Sequence, residues 1–279
     1  MTAGSEWEGP LGQKWAAEWR RTDRSFGMLT ERLLQLSRDV AFAQVLDIGC
    51  GAGELSLALA RGRPQVRVRG VDISPDLARV ASERAHNLNN VDFEVVDAST
   101  WRPAATFRPE LLISRHGVMF FPDPVAAFSN LRDLAAENAT LMFSCFRDKR
   151  ENPWISDLAR QLPPSAVPAS PPDPRLPGPF AFGDRDYVRS ILEGAGWRSV
   201  AFEAYDFGMV AGAGEDAVED ATSYFLSIGP AAAATRDLGE SERAAFGDRM
   251  RSFLESRLVD GIIVLRAAAW IVTARKGAE

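Results

Sequence analysis

The sequence is poor in cysteine and histidine, with two of each in 279 residues. Two cysteines, Cys50 and Cys145, cannot build the disulfide framework of a small secreted domain, and we expect both to act as small apolar side chains. No group of His, Cys, Asp and Glu has the spacing of metal ligands, so no metal is expected. The composition therefore argues against thiol-based and metal-based chemistry.

Long hydrophobic runs and an excess of basic residues are also lacking. No apolar stretch reaches the roughly 18 residues of a membrane span, and Glu6 and Glu8 stand where a signal peptide would be basic. The net charge is −6, which disfavours binding to a nucleic-acid backbone. A local basic groove on the surface is still compatible with this net charge. We expect a cytoplasmic protein whose partner is a small molecule, with no nucleic acid and no membrane. The oligomeric state stays undetermined.

The most informative segment that is present reads V-L-D-I-G-C-G-A-G, residues 45–53. Strand-forming residues lead to three alternating glycines and an apolar helical pattern, which predicts a strand, a tight loop and a helix at about 52–62. A dinucleotide site normally has G-x-G-x-x-G and lays a pyrophosphate on a helix N-terminus. Here the glycines are closer, and Asp47 would repel a phosphate. A carboxylate at this place suits a ligand with a cationic end, such as the ammonium group of an amino acid.

This segment resembles the first motif of the class I S-adenosylmethionine-dependent methyltransferases. A second strand at 66–72 ends at Asp72, nineteen positions after Gly53 and close to the roughly 20-residue offset of a ribose-binding acid. A third strand, 91–96, ends where the family places an acid and a backbone amide against adenine. The resemblance covers about residues 40–150 well and the remainder more loosely. The run S-R-H-G-V-M-F-F-P-D-P and the later E-N-P-W are similar to those of bacterial small-molecule methyltransferases.

The resemblance implies a binding site for S-adenosylmethionine, which leaves as S-adenosylhomocysteine. In that site Asp47 and the glycine loop receive the methionine end, the Asp72 carboxylate accepts from both ribose hydroxyls, and Ile73 packs on the adenine. The residues implied to contact this cofactor are Trp15, Asp47, Gly49, Cys50, Gly51, Asp72, Ile73, Asp97, Ala98, Ser99 and Ser114.

The acceptor side of the site is expected just after a fourth strand, 111–113. His116 lies there and is either a catalytic general base or a residue of the pocket wall. Arg115 either pairs with Asp123 or binds an acidic acceptor. The residues predicted to bind the substrate are Arg115, Met119 and Trp154. A partly hydrophobic acceptor is favoured by the apolar residues nearby, which are Val118, Met119, Phe120, Trp154 and Phe180.

Alternation of strands and helices predicts an α/β fold, a doubly wound, seven-stranded, mostly parallel sheet of Rossmann-like type with helical cap elements. Nine of the seventeen prolines fall between Pro153 and Pro179, which predicts an extended cover low in regular structure. A last strand, 262–274, should be antiparallel. The predicted parts of this single catalytic domain are an N-terminal lid of one or two helices (1–38), a cofactor-binding core (39–150), a Pro-rich cover (151–183), and a C-terminal part of the sheet with inserted substrate-recognition helices (184–279).

Four functions are compatible with these features. The first is transfer of a methyl group to a small-molecule acceptor in biosynthesis, at an oxygen of a partly hydrophobic metabolite. Transfer to nitrogen or carbon is the second, and a non-catalytic S-adenosylmethionine-binding regulatory protein is the third. A nicotinamide oxidoreductase is the fourth, and it is opposed by Asp47, by the G-x-G-x-G spacing and by the lack of a Tyr-x-x-x-Lys pair.

Overall fold

The computed structural model describes residues 4–167, 173–236 and 238–277, so part of the Pro-rich segment, residues 168–172, lies outside it. The described residues form a mixed α/β fold around one large sheet. Its strands are β1 (Gln44–Ile48), β2 (Arg67–Asp72), β3 (Val91–Val95), β4 (Leu111–Arg115), β5 (Thr140–Phe146), β6 (Trp197–Gly212), β7 (Leu258–Val259) and β8 (Ile262–Lys276).

The strands run in the order β3-β2-β1-β4-β5-β8-β6, with the short β7 beside β8. Strands β1 to β5 pair in parallel, and β8 is antiparallel to both β5 and β6. The predicted doubly wound, mostly parallel sheet with an antiparallel last strand is confirmed. The central strands are buried along nearly their whole length because helices cover them, as expected of a parallel sheet.

The sheet has one strand more than the seven predicted. Asp260 and Gly261 both have positive φ, 49° and 77°, which makes the tight hairpin turn whose twist matches that of strands. This turn folds Leu258–Val259 back onto the start of β8. Strand β6 is also long, because it pairs with β8 over most of that strand's length.

Local side-chain and backbone chemistry sets several helix starts and turns. The Ser74 hydroxyl accepts from the Leu77 amide at the start of its helix, with Pro75 in the first turn, and Asn138 takes the left-handed conformation with φ 60°. The helices are α1 (Gly4–Trp7), α2 (Pro10–Ala17), α3 (Trp19–Ser25), α4 (Gly27–Ser37), α5 (Glu54–Gly62), α6 (Pro75–Arg84), α7 (Pro124–Leu134), α8 (Pro153–Ala159), α9 (Arg185–Gly194), α10 (Ala217–Ser227), α11 (Gly229–Ala234) and α12 (Glu240–Glu255).

The N-terminal segment differs from the one or two helices expected. Its described part, residues 4–38, contains four short helices, because Glu18 and Phe26 leave the helical conformation and Pro10 can only begin a helix. The Pro-rich segment is more regular than predicted, since α8 begins at Pro153, where a proline is well tolerated. In the described part of the chain, the helices are all too short or too polar to cross a membrane.

Candidate functional site

A cavity of about 290 Å³ opens at the carboxyl ends of β1, β2 and β4. Strand order reverses between β1 and β4, and such a reversal creates the crevice in which open α/β sheets bind their ligands. The cavity is at the lower end of the size range of small-molecule sites, roughly 300–1,000 Å³. The sheet topology therefore places a ligand-sized space beside the glycine loop.

The floor of the cavity is a close contact between two glycines. Gly49 has φ 62°, and a Cβ on it would lie 2.9 Å from the Gly117 Cα. A Cβ on Gly117 would lie 2.5 Å from the Ile48 carbonyl oxygen. Because no side chain fits at either position, the loops after β1 and β4 approach as closely as two backbones can.

Asp47 is buried at the end of β1 and lines the cavity. Its Oδ2 accepts a hydrogen bond from the Ser56 hydroxyl at 2.6 Å. Burial raises the pKa of Asp47 to about 6, because the carboxylate has lost its water, and Ser56 and Arg115 offset this only in part. A ligand that brings a positive charge to this carboxylate would stabilise its ionised form.

Asp72 at the end of β2 is held as a double acceptor. Its Oδ2 accepts from the Gly51 amide and its Oδ1 from the Ser74 amide, both at 2.8 Å. Burial raises the pKa of Asp72, while these backbone amides favour the ionised form. Each carboxylate oxygen keeps a free lone pair, so the two oxygens can accept from two neighbouring hydroxyl groups.

Most of the residues predicted to contact the methyl donor are brought together in the cavity wall. Besides Asp47 and Asp72, the wall contains Trp15, the glycine loop, and residues after β2 and β3. These are Trp15, Gly49, Cys50, Gly51, Ile73, Asp97 and Ala98.

Two of the predicted contacts, Ser99 and Ser114, lie outside the wall. The Ser114 hydroxyl donates to the Ile48 carbonyl at 2.6 Å and accepts from the Gly117 amide at 3.1 Å. Ser114 therefore fastens the two loops to each other from behind. The Ser99 amide donates to Asp97 Oδ1 at 2.8 Å, so it fixes the position of that carboxylate.

His116 lines the acceptor side of the cavity in a left-handed conformation, with φ 60°. Its ring centroid lies 4.3 Å from that of Phe146 and 5.3 Å from that of Phe26. Burial, and then the charge of Arg115, lower the pKa of His116 to about 3. The imidazole is therefore neutral at physiological pH and has little tendency to take up a second proton, which weakens its candidacy as a general base.

The predicted pair between Arg115 and Asp123 is wrong. Asp123 caps α7 by accepting from the Ala126 amide, whereas Arg115 donates to Asp23 at 2.9 Å and to the Thr30 hydroxyl at 2.7 Å. Sequence separation hid this partner, which lies in the N-terminal segment. The Arg115 guanidinium lines the cavity, but its two terminal nitrogens already donate hydrogen bonds to the N-terminal segment.

Asp23 also links the N-terminal segment to the cofactor half of the fold. It pairs with Arg84 at 3.0 Å as well as with Arg115, and all three side chains are largely buried. Burial raises the pKa of Asp23, and the charge of Arg115 opposes that rise. One carboxylate thus fixes α3 both to the end of α6 and to the last residue of β4.

Several cavity residues were missed by sequence reasoning. Trp7, Trp19 and Phe26 come from the N-terminal segment, and Tyr224 and Phe225 come from α10. No local pattern identifies them, because long-range packing alone brings these aromatic rings to the cavity.

The apolar residues predicted near the acceptor divide into two groups. Met119, Phe120 and Trp154 line the cavity, as expected for a hydrophobic acceptor site. Val118 and Phe180 are outside its wall and pack in or against the core.

Comparison with known proteins agrees with this geometry. The model of a family described as "Methyltransferase domain" matches residues 41–171. The chain is 33% identical over 123 residues to aklanonic acid methyltransferase DauC of Streptomyces sp. strain C5, covering 43% of this chain and 55% of that relative. It is 31% identical over 123 residues to trans-aconitate 2-methyltransferase of Streptomyces avermitilis, covering 43% and 44%. Over residues 41–171, just under half of its length, the chain is similar to this methyltransferase family.

The family match covers the strands β1 to β5, and the residues after 171 are similar to known proteins in fold. The sequence matches span about half the length of the two curated relatives. A solved structure of Haemonchus contortus phosphoethanolamine N-methyltransferase 2 with S-adenosyl-L-methionine shares the fold, with a TM-score of 0.56 and 15% identity. That likeness covers 100% of this chain and 61% of the other.

Proposed function

We propose that the protein transfers a methyl group from S-adenosylmethionine to a small-molecule acceptor, at an oxygen of a partly hydrophobic metabolite. The observation that carries the proposal is the position of Asp47 and Asp72 at neighbouring strand ends on one cavity wall. These two carboxylates match the two polar ends of the methyl donor. Asp47 offers a desolvated negative charge to the ammonium group, and Asp72 offers two acceptor oxygens to the ribose.

The rest of the donor also finds suitable surroundings. Ile73 and Leu77 supply apolar contacts beside Asp97 for an adenine. Trp7 and Trp15 lie in the wall with ring centroids 5.8 Å apart, and aromatic faces attract cations such as a sulfonium. A pyrophosphate would instead meet the buried carboxylate of Asp47, which opposes a nicotinamide dinucleotide.

The reaction depends mainly on how the methyl donor and the acceptor are positioned. A sulfonium is already an activated leaving group, so the enzyme gains most by holding donor and acceptor in line at about 3–3.5 Å with water excluded. The aromatic and aliphatic residues of the acceptor side suit this task and a partly hydrophobic acceptor. Oxygen is favoured over nitrogen because the two curated relatives are named for acidic small molecules, aklanonic acid and trans-aconitate.

Calorimetric titration with S-adenosylmethionine, S-adenosylhomocysteine and a nicotinamide dinucleotide tests the donor assignment. We expect both sulfur ligands to bind and the dinucleotide to give no heat of binding. Binding of the dinucleotide in preference to the other two would overturn the proposal.

Turnover is tested separately with donor labelled in its methyl group. Label that enters a small molecule supports transfer, to oxygen if the product is an ester or ether and to nitrogen or carbon otherwise. Tight donor binding without transfer to any acceptor would favour a non-catalytic binding protein.

A further inference from the structure

The hydrogen bond between His116 and Ser144 fixes which nitrogen of the imidazole carries the proton. His116 Nδ1 lies 2.7 Å from the Ser144 hydroxyl oxygen, and Ser144 is fully buried. Within residues 4–167, 173–236 and 238–277, that hydroxyl has no other hydrogen-bond partner. A buried hydroxyl that only accepted would leave its own proton unpaired, which is unfavourable. The Ser144 hydroxyl therefore donates to Nδ1.

Once Nδ1 is the acceptor, a neutral imidazole carries its proton on Nε2. Nε2 is buried and has no hydrogen-bond partner among the described residues. An unpaired buried donor is rare in folded proteins and calls for an explanation. The left-handed backbone of His116 is a second uncommon feature at the same residue, and such strain concentrates at functional sites.

Phe26 and Phe146 flank the imidazole and line the cavity with it. Phe146 belongs to the central strand β5 and is buried, whereas Phe26 is half-buried at the junction of α3 and α4. Of the two flanking rings, Phe26 is therefore the one less enclosed by the core.

We propose that His116 donates a hydrogen bond through Nε2 to an acceptor that is a carboxylate, and that no general base takes part. This inference rests on the proposed methyl transfer and names its substrate class. A carboxylate has two equivalent oxygens, so one accepts from Nε2 while the other is free to attack. Carboxyl groups have ordinary pKa values near 4, so they are ionised at neutral pH without help.

The transfer then balances without a proton. A carboxylate oxygen forms a bond to the methyl carbon, the bond from that carbon to sulfur breaks, and its electron pair stays on sulfur. The products are a neutral methyl ester and a thioether. A phenol, with an ordinary pKa near 10, would have to give up a proton, and Nε2 cannot accept one because it already carries one.

The tautomer can be read directly by nuclear magnetic resonance, because the chain has only two histidines. In protein labelled with heavy nitrogen in histidine, His86→Gln assigns the two sets of ring signals. We expect His116 to show a protonated Nε2 and a bare Nδ1, and to stay neutral down to about pH 5. A protonated Nδ1, or an imidazolium at neutral pH, would overturn the proposal whatever the activity of the protein. In Ser144→Ala the preference for a proton on Nε2 should be lost. If that preference is retained, Ser144 does not set the tautomer of His116.

The substrate class is tested with labelled donor and a defined mixture of carboxylic acids, alcohols, phenols and amines of matched carbon skeletons. We expect the label in methyl esters, which mild alkali releases as methanol. Label that is stable to alkali, on an ether, an amine or carbon, contradicts the carboxylate assignment. Absence of any transfer contradicts the proposed function and, because it rests on that function, the carboxylate assignment as well. The tautomer measurement does not depend on activity and tests the Nε2 donor by itself.

Two substitutions then separate a donor from a base. Gln at position 116 keeps an N–H donor near the place of Nε2 but cannot act as a base, whereas Ala lacks both. With the acid found above, His116→Gln should keep a rate within about tenfold of the original and His116→Ala should lose much more. Equal loss in both, with unchanged donor affinity, would contradict the donor role.

Discussion

Asp47 should lower the stability of the ligand-free protein as the pH rises. Its carboxyl has a pKa of about 6 in the folded state against an ordinary value of 3.8. Below about pH 4 both states bind the proton, and between about pH 4 and 6 only the folded state does, so stability falls over this range. The difference of about 2 pKa units corresponds to about 3 kcal/mol at 1.36 kcal/mol per unit. Above pH 6 the whole cost is present.

Asp47→Asn removes that dependence, since an amide does not ionise while its oxygen can still accept from Ser56. The new N–H donors of the variant need partners and change its stability at every pH, so the informative quantity is the change in stability with pH. Relative to the original protein, the variant should gain about 2 kcal/mol between about pH 4.5 and pH 7.5, because about a third of the cost is already present at pH 4.5. Urea unfolding of the ligand-free protein at both pH values measures it.

Asp133→Asn provides the matched control, because Asp133 is exposed beside Arg132. It should show no such gain between the two pH values. S-Adenosylmethionine should stabilise the original protein much more than Asp47→Asn, because only the carboxylate pairs with the ammonium group. A relative gain close to zero for Asp47→Asn would refute the assignment of a desolvated, ionised carboxylate.

Three further substitutions test other parts of the site. Asp72→Ala should weaken donor binding about 100-fold, or about 3 kcal/mol, because it removes two charge-assisted hydrogen-bond acceptors. Calorimetry measures the dissociation constant, and an unchanged value would contradict the binding of the ribose by Asp72. Gly117→Ala should cost about 1–3 kcal/mol in unfolding experiments because its Cβ would collide with backbone, whereas Gly62→Ala, with open space around it, should not. Asp23→Ala should cost roughly 1–3 kcal/mol, because it removes the hydrogen-bond acceptor of two largely buried arginines; a loss below that of an exposed pair would show that this link is unimportant.

Local sequence patterns predicted the cofactor half well because its features lie within a few residues of each other. The strand, the glycine loop and the helix after it are set by residues 45–62, and the cap at Ser74 needs only its own helix. Asn138 likewise takes a left-handed turn for a reason that is local to its side chain. These parts could be placed from the sequence with boundaries correct to about two residues.

The acceptor side could be predicted only in part, because it is made by contacts between distant segments. Arg115 meets Asp23 across 92 positions, and His116 meets Ser144 across 28. The position of Ser114 outside the cavity wall has a related cause: the sequence places it at a strand end, but only packing shows that its hydroxyl donates to the Ile48 carbonyl. The four short N-terminal helices likewise depend on packing against the sheet more than on helix propensity.

A crystal structure with S-adenosylhomocysteine tests the central claim most directly. The account predicts the ligand in the crevice between β1 and β4, with its ammonium group beside Asp47 and both ribose hydroxyls on the carboxylate oxygens of Asp72. A ligand bound elsewhere, or a crevice that instead takes the pyrophosphate of a dinucleotide, would contradict it.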